Sequence, residues 1–233
     1  MKVYDETIYV PQLNKYSYAF PNPREASKKG LLAWGGDLNK DRVLLAYMNG
    51  IFPWYNPDDP ILWWSPNPRL VLFTKDIKIS KSLKRSMKKY EVRYDTDFNK
   101  VINSCQKVRL ESGEGSWISS DIIELFNTLH VDGFAHSVET YFEGELVGGL
   151  YGLSIGDMFC GESMFSLKSD ASKTALVALC SKMDEIGGDF IDCQIPTNHL
   201  ISMGAKEMKR DDFLDLVENS LETKNNSLKW SNQ

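Results

Sequence analysis

From residue 69 onward the apolar positions fall into regular periods. RLVLF (69–73) and FIDCQ (190–194) are short apolar runs of strand length. Between them lie three alternating segments joined by turn residues: FAHSVETYF, Glu143-Gly144, ELVGGLYGLSI, Gly156-Asp157 and MFCGESMF. That order predicts an antiparallel meander. Ile122, Ile123, Leu125, Phe126 and Leu129 share one face of a helix predicted over 120–131, begun after Ser119. Further helices are expected near 80–89, 97–107, 170–186, 197–203 and 211–221, with a last strand around 205–209. Ser169 or Asp170 caps the 170–186 helix and Gly187-Gly188 stops it. The tail 224–233 reads as frayed apart from Trp230. The sum is an α+β fold whose central sheet is a mostly antiparallel meander continued by a βαβ-like step.

Upstream the text differs. Eight of nine prolines precede residue 69, and four of six tryptophans lie between Trp34 and Trp64. Prolines recurring every three to six residues forbid a long helix in GIFPWYNPDDPILWWSPNPR. This stretch reads as a loop-rich unit held by stacked aromatics, either a small core or a binding wall. A small N-terminal domain over 1–68 and a larger domain over 69–233 are therefore expected.

Hydrophobic residues at 42% and charged residues at 25% are globular values, which excludes wholesale disorder. No apolar run reaches the roughly eighteen residues of a membrane span, and MKVYDETIYVPQLNKYSYAF lacks the apolar core of a signal peptide. A soluble, cytoplasmic protein is expected. Cys105, Cys160, Cys180 and Cys193 are scattered without metal-ligand spacing, so they read as reduced, buried residues and no metal site is expected.

Charge adds one feature. Between Lys75 and Arg93 eight basic residues face two acidic ones, in a chain of net charge −5. Behind Ser80, residues Lys81, Lys84, Arg85, Lys88 and Lys89 fall on one helical stripe. Such a stripe is either a solvated face or a docking site for a polyanion such as phosphate.

The chain has no G-x-S-x-G elbow, phosphate loop, H-E-x-x-H or dinucleotide fingerprint. The glycines of VGGLYG sit inside a predicted strand, marking either a groove or a bend. Glu162, Asp192 and Gln194 interrupt apolar strands. Simple alternation puts Asp192 and Gln194 on one face and Cys193 on the other. A carboxylate on a buried strand is costly unless paired or functional, so these residues either cap neighbouring helices or form a site. A thiol nucleophile, Cys160 or Cys193 with a histidine, finds no local activation.

Read together, GLLAWGGDL (30–38), GIFPWYNPDDPILWWSPNPR (50–69), GSWI (115–118), LVGGLYG (146–152), FCGESMFS (159–166), DASKTAL (170–176) and IDCQ (191–194) resemble the leucyl/phenylalanyl-tRNA–protein transferases. The resemblance runs from about Phe20 to Phe213; Leu150 stands where methionine is common. It implies a small N-terminal domain beside an N-acetyltransferase-like domain. The implied activity is transfer of leucine or phenylalanine, and also methionine, from aminoacyl-tRNA to the N-terminal Arg or Lys of acceptor proteins, marking them for N-end rule degradation. The resemblance implies no cofactor, because the aminoacyl ester is already activated. It assigns Asp192 and Gln194 to a catalytic relay, with Glu162 positioning reactants; proton removal or electrostatic activation falls to Asp192, because an amide is a poor base, and Gln194 orients groups by hydrogen bonds. It assigns Trp54, Trp117, Leu150, Phe159, Gly161, Leu176 and Ile191 to the donor's side chain and terminal adenine. The basic stripe Lys81, Lys84, Arg85, Lys88 and Lys89 is expected on the tRNA acceptor stem. A monomer is the default. Rival readings are an acetyl-CoA-dependent acetyltransferase, for which the R/Q-x-x-G-x-G/A loop is missing, an RNA- or peptide-binding module, and a peptidoglycan-bridge transferase.

Overall fold

Prolines leave room for only short extended stretches near the N-terminus. In the computed structural model, which describes residues 9–113, 115–223 and 230, these stretches are β1 (Gln12–Leu13), β2 (Leu31–Gly35), β3 (Phe52–Pro53) and β4 (Leu62–Trp64). They form a four-stranded sheet in the order β1-β2-β4-β3. Trp63 is wholly buried in it, edge-on to Phe20, and its Nε1 donates to the Gly35 carbonyl at 2.9 Å. The region also holds a helix, α1 (Lys40–Met48), capped by the Asn39 side chain. The apolar period hides it because one of its buried positions is Arg42, which pairs with Asp37 at 3.0 Å.

The remaining strands are β5 (Arg69–Phe73), β6 (Glu91–Tyr94), β7 (Ala135–Phe142), β8 (Glu145–Ile155), β9 (Met158–Ser166), β10 (Phe190–Gln194) and β11 (Lys206–Met208). They form one sheet ordered β11-β5-β10-β9-β8-β7-β6. Only β9 and β10 run parallel, joined by the crossover helix α5 (Ala171–Ile186), and every other pair in this sheet is antiparallel. The architecture is thus the expected mixed fold with a mostly antiparallel sheet.

The period-two alternation of the meander divides the core. Tyr151 and Phe165 face α3 (Phe98–Glu111) and α4 (Ser120–Val131), while Leu150 and Phe159 face α5 and α2 (Lys81–Met87). Three helix ends differ by two residues or more from the sequence reading: the basic helix ends at Met87 rather than 89, α3 extends to Glu111 rather than 107, and the last helix extends to Thr223 rather than 221. Asp170 stands at the start of α5 with a left-handed φ of 64° and no side-chain cap bond. Of the tail, only Trp230 falls among the described residues, stacked on His136 at 4.5 Å and touching Phe159.

Of the last two helices, α6 (Asn198–Ser202) and α7 (Arg210–Thr223), it is α7 that ties the two sheets together. The Arg210 guanidinium donates to the carbonyls of Arg24, Ala26, Ser27 and Ser65. Phe213 and Leu214 pack against Gly50, where a Cβ would meet Leu214 at 2.6 Å. No helix among the described residues is long and apolar enough to cross a membrane.

Candidate active site

Two β-bulges at the same height make the site. On β9, Tyr151 pairs with Ser163 and Gly152 with Gly161, so Glu162 is the extra residue. Gly152 permits this, because a Cβ there would lie 2.1 Å from the Cys160 carbonyl. On β10, Asp192 pairs with Val71 and Gln194 with Leu70, so Cys193 is skipped, and Gln194 takes a left-handed φ of 62°. A bulge re-aims side chains and ends pairing. Here the β9–β10 ladder stops at Cys160–Asp192. The strands part beyond it, and a cavity of about 460 Å³ opens there, with Phe52 and Trp54 of the N-terminal unit in its wall.

Glu162 is buried, yet it lines the cavity. Its Oε1 accepts from the Tyr47 hydroxyl at 2.8 Å and from Gln194 Nε2 at 2.9 Å. Oε2 is left without a partner among the described residues. Burial pushes the Glu162 carboxyl up to about 7, against the opposing pull of these two donors. Burial, together with the neighbouring Glu162, also holds the Tyr47 hydroxyl well above the ordinary tyrosine range, so it donates as a neutral phenol.

Asp192 is different. Its two oxygens take a two-pronged ion pair from Arg69 (Nε–Oδ1 2.7 Å, Nη2–Oδ2 2.6 Å), and Oδ1 also accepts the Gln194 backbone N–H at 2.9 Å. Both partners are 1% exposed. Arg69 is held in turn by the Gly50 carbonyl and by the rings of Phe52 and Phe213. Asp192 therefore stands behind the wall and not in it. The alternation that was to put Asp192 and Gln194 on one face is broken by the bulge, and only Gln194 reaches the cavity. Both Asp192 oxygens are taken up by Arg69 and the residue does not line the cavity, so of its two expected roles proton removal does not fit this geometry. It brackets the backbone that aims Gln194 at Glu162.

All of Trp54, Trp117, Leu150, Phe159, Gly161, Leu176 and Ile191 line the same cavity. The sequence reading missed four polar contributors: Tyr47, Arg69, Arg109 and His199. Tyr47 sits on the helix that the apolar period hid. Arg69, opening an apolar strand, was a signal, since a buried arginine needs a partner. His199 lines the cavity half-buried, its Nε2 without a partner, and burial lowers its pKa. Burial pushes the Cys160 and Cys193 thiols up, so neither is activated as a nucleophile.

Lys81, Lys84, Arg85, Lys88 and Lys89 are all exposed along α2 and the turn after it. Among the described residues no ion pair neutralises any of them.

Comparison with known proteins places this geometry. A family model described as leucyl/phenylalanyl-tRNA protein transferase matches residues 71–218, and one for the N-terminal domain of the same proteins matches 36–67. A leucyl/phenylalanyl-tRNA–protein transferase of Sulfurimonas denitrificans is 54% identical over 206 residues, covering 88% of this chain and 90% of the relative. One from Desulforapulum autotrophicum is 49% identical over 91% of this chain and 93% of its own length. Among solved structures, an aminoglycoside acetyltransferase from an uncultured soil metagenomic sample matches with a TM-score of 0.38, at 15% identity over 60% of this chain and 91% of that one.

Proposed function

Because the chain belongs to the leucyl/phenylalanyl-tRNA–protein transferase family, we propose that the β9–β10 cavity is where the aminoacyl ester meets the acceptor amine, with Glu162 carrying the proton. The observation that carries this reading is the Glu162 carboxyl: Oε1 fixed by Tyr47 and Gln194, Oε2 without a partner among the described residues, and burial that pushes it up to about 7.

The reaction needs an amine stripped of its proton. An N-terminal ammonium titrates at about 7.7–8.0, and a base tuned near 7 is matched to it. The α-ammonium first gives one proton to solvent; the neutral nitrogen then attacks the ester carbonyl while Glu162 takes a second proton from it. The tetrahedral intermediate collapses with cleavage of the bond to the ribose oxygen. The same carboxyl then returns its proton to that leaving oxygen, and the new peptide bond stays on the acceptor. Gln194 holds Oε1 through its amide and keeps Oε2 aimed, while the Arg69–Asp192 pair keeps Gln194 in place. Holding ester and amine together supplies much of the acceleration.

The apolar wall of Leu150, Phe159, Leu176 and Ile191 suits leucine, phenylalanine and methionine, and its shape disfavours side chains branched at Cβ. Trp54 and Trp117 offer faces for the terminal adenine. An acidic Glu162 draws a cationic N-terminus, which fits acceptors that begin with Arg or Lys and the marking of proteins for N-end rule degradation. The exposed basic stripe suits the acceptor stem, so binding depends on salt and little on the anticodon. Aminoacyl-tRNA puts the reaction in the cytoplasm, and the enzyme acts as a monomer. An acyl-CoA reading has less support: the turn into α5, Leu167–Asp170, has no glycine and carries a carboxylate where a pyrophosphate needs bare amides.

The test is transfer of labelled leucine from leucyl-tRNA to a peptide beginning with arginine, beside the same peptide acetylated. Transfer to the free amine alone, slowed by about 10²–10⁴ in Glu162→Gln, is expected. Equal labelling of both peptides, or a Glu162→Gln variant as fast as the parent, contradicts the reading.

A further inference from the structure

Arg109 lies in the last turn of α3, half-buried, and lines the cavity. Its Nε donates across to the Ser163 hydroxyl at 3.3 Å, so the side chain reaches toward β9 instead of folding onto its own helix end. Among the described residues no carboxylate pairs with it. Of the described residues lining the cavity, Arg109 is the only lysine or arginine and Glu162 the only aspartate or glutamate. The two attach to β9 at successive residues, Glu162 directly and Arg109 through Ser163. The cavity thus carries one charge of each sign, held apart.

We propose that Arg109 binds the phosphodiester on the 5′ side of the donor's terminal adenosine. The proposal rests on the transfer reading above and deepens it. Among the described residues the guanidinium is tied only through Nε, which leaves its two terminal nitrogens to donate to phosphate oxygens in two-pronged fashion. The other substrate is excluded by sign: a cationic acceptor N-terminus is repelled by Arg109 and attracted by Glu162. The donor is the substrate that brings an anion into the cavity. Trp54 and Trp117 line the same cavity as the guanidinium, and an indole ring is a surface on which the base joined to that phosphate can stack. The charge partition then orders the substrates: nucleotide toward α3, acceptor amine toward Glu162, with the ester between them.

The test uses two inert donor analogues, 3′-leucylamido-3′-deoxyadenosine and its 5′-(methyl phosphate) diester, as competitors of leucyl-tRNA in the transfer reaction. In the parent enzyme the diester is expected to inhibit about ten- to hundredfold more tightly than the nucleoside. Arg109→Gln should bring that ratio close to one, and Arg109→Lys should leave an intermediate ratio that collapses with added salt. Because the readout is a ratio within each variant, a general loss of stability does not imitate it. A ratio near one in the parent, or one that Arg109→Gln leaves unchanged, overturns the proposal while transfer itself stands. No transfer from leucyl-tRNA by the parent overturns the transfer reading and this proposal together.

Discussion

Two buried carboxylates stand near the end of the β9–β10 ladder, and their surroundings give them opposite tasks. Asp192, on the β10 side, has a guanidinium on both oxygens and stands outside the cavity. Glu162, on the β9 side, is bonded among the described residues only by a phenol and an amide, stands in the cavity and is pushed up to about 7 by burial. A buried acid gripped on both oxygens by a guanidinium is tied into an ion pair and fixes geometry. A buried acid with neutral partners is left able to gain and lose a proton. Environments that differ in this way sort neighbouring acids into separate roles.

The comparison is broken most severely by removing the cation. Arg69→Met leaves Asp192 buried and unpaired, and the loss expected is about 3–5 kcal/mol. Chemical denaturation at neutral pH reads it as a lower midpoint. Asp192→Asn in the Arg69→Met background should restore part of the loss, since the stranded charge is gone. A fully additive double variant contradicts the assignment of Arg69 as the partner of Asp192.

Glu162→Gln should act in the reverse direction on stability. The Glu162 carboxyl is raised in the fold, so the folded state holds its proton more tightly than the unfolded chain does. Its ionisation therefore removes stability as pH climbs from the unfolded carboxylate range toward about 7. The uncharged amide introduced by this substitution still accepts from Tyr47 and Gln194 through its oxygen. The variant should be more stable than the parent at pH 8, by at most about 3 kcal/mol, and no more stable at pH 4. Thermal melts at the two pH values measure this gain, which comes with a loss of activity. A variant destabilised at pH 8 contradicts it.

The smallest effect sharpens the comparison. Tyr47→Phe removes one donor from Glu162 Oε1 and so takes away a force that holds the carboxyl down. The acidic limb of the rate profile should move to higher pH, with a stability change of about 1 kcal/mol. A limb that moves to lower pH contradicts the role given to this bond.

Much of the framework was legible along the chain because period and turn chemistry are local. Glu143-Gly144 and Gly156-Asp157 mark the ends of β7–β8–β9 within a residue, and Ser119 fixes the start of α4. Glu162, Asp192 and Gln194 stood out as polar residues in apolar strands, and the structure brings all three together. Their division of labour was hidden, because it depends on two register shifts that only neighbouring strands define. Alternation along FIDCQ assumes an unbroken strand. The bulge at Cys193 turns Gln194 toward the cavity and leaves Asp192 to Arg69. Tyr47 was hidden for another reason: it reaches Glu162 from 115 positions away in the sequence, on a helix whose buried Arg42 spoils the apolar period.

The most direct measurement is the pH dependence of kcat/KM for leucine transfer, determined for the parent, Glu162→Gln and Asp192→Asn. Once the acceptor amine's own titration is divided out, the parent should lose activity below about pH 7, the limb should vanish in Glu162→Gln, and it should persist at a lower rate in Asp192→Asn. A limb that survives in Glu162→Gln and disappears in Asp192→Asn would give the proton to Asp192 and overturn the assignment.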